Sequence, residues 1–135
     1  MALQYSVPVR NARLDSIEST IGAVPIMELR AGAPPATCAD ASTGALLAQA
    51  ALPSDWLGAA AAGVKSKAGT WTLTGLAAGT IGYFRIFRPG SPSECDIQGT
   101  VTATAGGGDM TVDNVSIAVS QVVTVNTFAL TAGNA

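Results

Sequence analysis

The chain has no histidine and only two cysteines among its 135 residues; aromatic side chains make up 5% of it and charged residues 12%. Each shortage excludes a class of chemistry. Zinc and iron sites draw on His and Cys at recurring spacings, and Cys38 and Cys95, fifty-seven positions apart, do not supply them. Hydrolytic triads built on His fail for the same reason. Seven Lys and Arg stand against nine Asp and Glu, for a net charge of −2, and no window concentrates the basic residues. A nucleic-acid-binding face needs clustered cations, so no such partner is expected. Long apolar runs are missing too: the most hydrophobic window, Gly44 to Val64, is broken by Gln49, Pro53, Ser54 and Asp55, well short of the ~20 apolar residues of a spanning helix. The start, Met1 to Tyr5, lacks a basic segment leading into an apolar one, so no secretory signal is expected. The expectation is a chain without cofactor, metal, enzymatic activity or membrane segment.

What is present is a program for pairing strands. From Gly106 to Leu130 the apolar residues Met110, Val112, Val115, Ile117, Val119, Val123, Val125, Phe128 and Leu130 interleave with Thr, Ser, Asn and Ala. Earlier stretches alternate as well: Ile26 to Arg30, Leu46 to Leu52, Thr70 to Leu76, Ile81 to Arg88 and Asp96 to Ala105. The phase slips at Asn126-Thr127, which predicts a bulge or bend. Roughly seven or eight short strands separated by turn signals indicate an all-β domain, an antiparallel β-sandwich or jelly-roll-like barrel. Residues 23–135 are assigned to this single domain. Its core is expected to be thin and built mainly on Val, Ile and Leu.

Residues 1–22 read as an N-terminal amphipathic helix or arm. Val7, Arg10, Leu14, Ile17 and Ile21 fall on one stripe at spacings of three and four, with Ser6 as N-cap and Gly22 as the residue that ends the helix. The stripe can lie on the chain's own sheet or on a neighbouring subunit. In the strand Ile81 to Arg88, neither face is polar, so both are expected to meet protein; Tyr83, Arg85 and Phe87 share one of them. The stripe and this trio are the candidate partner-docking residues. Pro53 to Asp55 can cap a short helical turn over Trp56 to Ala61, and Lys65 to Gly69 reads as a solvated turn. Cys38 and Cys95 are a candidate disulfide, with two free thiols as the alternative.

Several features imitate functional motifs. Gly106-Gly107-Gly108 is followed by Asp109 and a strand, not by the Lys-Ser/Thr and helix of a phosphate loop. Asp109 to Asp113 lacks the spaced oxygens of a calcium loop. Asp96, Asp109 and Asp113 stand where turns and strand edges commonly carry Asp. Trp56 and Trp71 fit a core or interface better than a sugar platform.

Over nearly its full length the chain resembles a family of small virion proteins of tailed bacteriophages and prophages. The resemblance rests on Ala2-Leu3-Gln4-Tyr5-Ser6, Arg10-Asn11-Ala12-Arg13-Leu14-Asp15 and Ile17-Glu18; on Leu52-Pro53-Ser54-Asp55-Trp56, Gly69-Thr70-Trp71 and Phe84-Arg85-Ile86; and on Gln98-Gly99-Thr100-Val101, Gly106 to Thr111, Asp113-Asn114-Val115 and Leu130 to Ala135. It implies a structural protein of the virion, assembled in the host cytoplasm. The leading expectation is a capsid decoration or cement protein that binds the major capsid protein and itself, as a homo-oligomer such as a trimer. The alternative is a tail, baseplate or fibre module, with host-surface glycan binding as a variant of it.

Overall fold

The computed structural model describes residues 3–90 and 95–133. The loop signal at Ser91-Pro92, and the terminal Met1-Ala2 and Asn134-Ala135, lie outside them. One helix, α1 (Val7–Ile21), precedes nine strands: β1 (Ile26–Ala31), β2 (Leu46–Ala51), β3 (Val64–Ser66), β4 (Thr72–Gly75), β5 (Gly79–Phe87), β6 (Cys95–Ala103), β7 (Met110–Val112), β8 (Ser116–Ile117) and β9 (Val122–Thr131). No helix among the described residues is long and apolar enough to cross a membrane.

The fold is all-β with an N-terminal helix. Strands run β1-β2-β4-β9-β7-β6-β5, and β5 pairs back with β1 over Ile26↔Phe87 to Ala31↔Ile81, which closes a seven-stranded barrel. β3 and β8 are additions, paired with β9 and β5. Of the two architectures expected, the barrel is the one formed. Closure leaves no long sheet edge exposed among the described residues. Strand pairing departs from the expected all-antiparallel pattern once, because β6 and β7 run parallel with Val101 opposite Met110. The reversal is made by residues 104–109. Their glycines fold the chain back against β6, where Gly108 N–H donates to Thr102 Oγ1 at 3.0 Å and a Cβ on Gly106 would stand 2.6 Å from Thr102 Cβ. Only a glycine run fits so tight a return.

The expected bulge is present. Thr111 opposes Thr127 while Val112 opposes Val125, so Asn126 is the extra residue, and β9 continues through it from Val122 to Thr131. The helical turn expected over Trp56 to Ala61 is absent; Leu57 bridges to Lys67 and Ala61 to Val64 instead.

Inward-facing residues alternate along the strands, among them Met27 and Leu29, Leu73, Phe84 and Ile86, Val123 and Val125. At the centre the scarce aromatics are grouped. Trp71 lies 6.1 Å from Trp56 and 5.5 Å from Phe128 between ring centroids, and Phe84 meets Phe128 edge-on at 5.5 Å. Trp56 Nε1 donates to Gly22 O at 3.0 Å and Trp71 Nε1 to Ala68 O at 3.0 Å, so both indoles are buried without an orphaned donor.

α1 covers one end of the barrel. Ser6 Oγ accepts from Val9 N–H at 3.5 Å, and at the other end Gly22, with φ +91°, donates to Glu18 O at 2.8 Å. Leu14 and Ile21 are buried and Ile17 packs against the core. Truncating the central indole, Trp71→Ala, is expected to cost about 4 kcal/mol. Urea unfolding followed by the remaining Trp56 fluorescence measures it, and a loss below about 1 kcal/mol would show that the aromatic group does not organise the core.

Candidate functional site

Residues 32–45 leave β1 and re-enter at β2, and between these points they lie as a strap over the outer face of β1, β5 and β6. The residues beneath explain why β5 is apolar on both faces. Tyr83, Arg85 and Phe87 alternate with the inward Phe84 and Ile86, and all five are buried. Tyr83 accepts from Thr43 N–H at 3.1 Å and donates its own proton to Thr43 O. Gln98 Nε2 on β6 donates to Pro35 O at 2.7 Å.

Arg85 holds the middle of the strap. Its side chain is 1% exposed; Nη1 donates to Ser42 Oγ at 2.7 Å, and Nη2 to the carbonyls of Cys38 at 2.8 Å and Asp40 at 3.0 Å. Its guanidinium also lies 5.6 Å from the centroid of the Phe87 ring. Among the described residues this buried cation meets carbonyl and hydroxyl oxygens and no carboxylate. Glu28, opposite it on β1, is held by Arg30 Nε at 2.9 Å. Asp40 turns its carboxylate back to Thr37 N–H at 2.9 Å, which fixes the turn carrying Cys38. Arg85 Nε and Gln98 Oε1, on directly opposed residues, are buried without a partner.

Cys38 and Cys95 are both free and half-buried, and the strap brings them together. Cys38 O accepts from Arg85 Nη2 at 2.8 Å, and Cys95 stands opposite Phe87, whose ring lies under the same guanidinium, so both cysteines flank Arg85; Cys95 also donates to Ile97 O at 3.3 Å. Burial, then the neighbouring Cys38 thiol, push the Cys95 thiol up to about 11; Arg85 pulls against both.

Most of the sequence-selected docking residues therefore face the chain's own interior. Leu14, Ile21, Tyr83, Arg85 and Phe87 are buried, Ile17 is half-buried, and Arg10 Nε donates to Ala132 O at 2.6 Å. Val7 alone of the set is well exposed, at 44%. The strap that covers β5, and the barrel end that receives α1, come from this same chain.

Lys65, expected in a wet turn, is 3% exposed on β3 and ion-pairs with Asp15 and Glu18 of α1, both at 2.8 Å. The only hint in the sequence was the pair of acids one helical turn apart on α1. The hydrogen bond from Lys65, helped by its charge, holds the Asp15 carboxyl below its ordinary 3.8. Burial works against the Lys65 charge, but the hydrogen bonds to Asp15 and Glu18 outweigh it and hold the ammonium above its ordinary 10.5.

Asp109 and Asp113 brace backbone and Asp96 pairs with a side chain. Asp109 Oδ2 accepts from Thr100 N–H at 2.9 Å, Asp113 Oδ1 from Thr124 N–H at 3.0 Å, and Asp96 pairs with Arg88 at 2.9 Å. Two open hollows, of about 540 Å³ beside Asp109 and Asn126 and about 410 Å³ beside Asp40 and Arg85, are lined by groups engaged in this bracing. No cluster among the described residues has the ligands for a metal ion. Trp56 and Trp71 offer no face to a sugar, being 0% and 1% exposed. In comparisons with known proteins, no family model, curated protein or solved structure matches the chain.

Replacing Arg85 by Leu leaves the Cys38 and Asp40 carbonyls without their donor, and the expected loss is about 2 kcal/mol. Hydrogen exchange is expected to accelerate in residues 33–45 before the barrel strands; unchanged exchange there would mean that Arg85 does not hold the strap.

The ion-pair group on α1 sets a pH window. Asp15, with its lowered value, contributes fully above about pH 4 and loses its contribution as pH falls through the folded value; Lys65, with its raised value, contributes fully below about pH 10 and loses it as pH rises through the folded value. Asp15 is half exposed, so solvent screens its share. Urea stability is expected to decline at both ends, with the alkaline decline reduced in Lys65→Met; a slope identical to the parent protein's would show that the group does not couple to folding.

Proposed function

We propose that the chain is a structural protein of a tailed-bacteriophage virion, and that it decorates the capsid by binding the major capsid protein and further copies of itself. The family resemblance of the sequence supplies the class. The observation that carries the decoration reading is the distribution of exposed apolar side chains on a barrel whose polar groups are committed to bracing.

These side chains gather at two poles. Leu3, Val7 and Val9, exposed by 65%, 44% and 45%, lie at the end covered by α1. Leu76, Val119 and Val122, exposed by 54%, 63% and 57%, lie at the opposite end, since β9 runs the length of the barrel from Val122 to Thr131, and Arg10 of α1 reaches the adjacent Ala132. Apolar patches on an otherwise polar surface mark contact sites. A rigid barrel with one patch at each end can contact the capsid lattice through one and neighbouring copies through the other, and symmetry repeats both contacts at no further design cost.

Quantitative mass spectrometry of purified virions tests this. The expected result is on the order of hundreds of copies per particle, as a lattice decoration requires, and a marked fall in copy number for the surface variant Val7→Asp/Val9→Asp. A handful of copies would move the chain to the tail, baseplate or fibre. Normal incorporation of the variant would exclude the α1 pole as a docking surface.

A further inference from the structure

We infer that Cys38 and Cys95 form a reversible disulfide that latches the strap to the barrel when the protein passes from a reducing to an oxidising medium. The inference rests on geometry within one chain and stands whether or not the virion reading holds.

Three observations place the two thiols for this reaction. Cys38 occupies the turn from Thr37 to Asp40, which is fixed by Thr37 N–H donating to Asp40 Oδ2 at 2.9 Å and by Asp40 N–H donating to Thr37 O at 3.2 Å. Arg85 anchors that turn from below through the Cys38 carbonyl at 2.8 Å, and Gln98 anchors the adjoining Pro35 carbonyl at 2.7 Å. Cys95 opens β6 opposite Phe87, where the β5–β6 register shifts, and the Phe87 ring lies 5.6 Å from the Arg85 guanidinium that holds the Cys38 carbonyl, so both cysteines stand on one patch of the outer face. The strap is thus held from two strands with Cys38 and Cys95 on either side of Arg85, and bond formation requires their Cα atoms to come within ~4.4–6.8 Å of each other. Both residues are half-buried, so a small reagent has access.

The oxidant is a low-molecular-weight disulfide such as oxidised glutathione. The Cys38 thiolate attacks one sulfur of the reagent, the reagent's S–S bond breaks, and one glutathione leaves as thiolate and takes a proton. The Cys95 thiol then loses its proton to solvent and attacks the Cys38 sulfur of the mixed disulfide, releasing the second glutathione. In sum, two protein thiols are oxidised to one disulfide and one glutathione disulfide is reduced to two thiols. At Cys95 the Arg85 guanidinium favours the thiolate, against the burial that pushes this thiol up.

The latch closes a ring from residue 38 to residue 95, a long loop for which cross-linking restricts the unfolded chain strongly. A reducing agent reopens it and leaves the strap held by Arg85, Gln98 and Tyr83.

The test uses the full chain incubated with oxidised or reduced glutathione. Oxidation is expected to give a monomer two hydrogens lighter by intact mass, with both thiols protected from alkylation and a peptide joining Cys38 to Cys95 after digestion. Melting temperature is expected to rise by roughly 10 °C on oxidation, and thermolysin cleavage within residues 32–45 to slow about tenfold. Cys95→Ser is expected to melt with the reduced parent protein and to show no gain under oxidising conditions; Cys38→Ser, altered only in the turn, serves the same comparison. Persistent alkylation of both thiols, stable glutathione adducts or disulfide-linked dimers would overturn the inference. A bridge that forms without changing melting or cleavage would overturn its role as a latch.

Discussion

Closure of the barrel through the β1–β5 pairing is the constraint on which the remaining structure depends. Once β1 bonds to both β2 and β5, the inner faces of seven strands enclose one volume, and that volume must be filled at interior density. The chain has few large side chains, and it places Trp56, Trp71, Phe84 and Phe128 together at the centre, with Val, Ile, Leu and Met around them. A cylinder also has two open ends. α1 covers one by burying Leu14 and Ile21; Val7 and Val9 stay exposed, so the helix lacks the continuous apolar face expected of it.

Closure creates a second demand on the outside. The β1, β5 and β6 portion of the barrel carries large residues outward, and the strap of residues 32–45 shields them from water. A segment rich in Gly, Ala and Pro has little apolar surface of its own with which to adhere. It is held instead through its backbone, by Arg85, Gln98 and Tyr83 reaching carbonyl and amide groups that burial would otherwise leave unpaired. A single guanidinium suits this task because its planar fork addresses several acceptors at once, where a lysine offers one compact charge. The same arrangement explains how a buried cation is held with no carboxylate partner among the described residues: three oxygen acceptors and the Phe87 ring share its charge.

Local order was legible in the sequence and partnership was not. The ends of α1, the strand positions and the bulge at Asn126 follow from capping residues, alternation and a phase slip, all of which are local. That both faces of β5 meet protein was legible too, because Tyr83, Arg85 and Phe87 share a strand with Phe84 and Ile86. Which protein they meet depends on the path of residues 32–45, and nothing in a run of small residues announces it. Lys65 was misread for a related reason: its burial makes sense only beside Asp15, fifty positions earlier, and the neighbouring Ser66, Lys67 and Gly69 suggest a turn. The parallel β6–β7 pair was equally hidden, since alternation defines a face and carries no direction.

The division between sides and ends also bears on how such a barrel would sit in an assembly. The β1–β5–β6 side is covered by the strap, and the remaining strands present largely Thr, Ser and Asn outward, residues that favour water or modest cross-strand bonds such as Thr111 to Thr127 at 2.6 Å. The exposed aliphatic side chains at the ends are too few for a large obligate interface and sufficient for contacts repeated many times over. On the virion reading, strength then comes from multiplicity: each end contact is weak, each barrel is stiff along β9, and a shell of such pieces holds because no contact acts alone. A stiff piece transmits load only if its own covering does not peel away. On that reading the requirement falls on the strap, the longest segment without regular structure among the described residues, and the clustering of Arg85, Cys38 and Cys95 beneath and within it serves to hold it down.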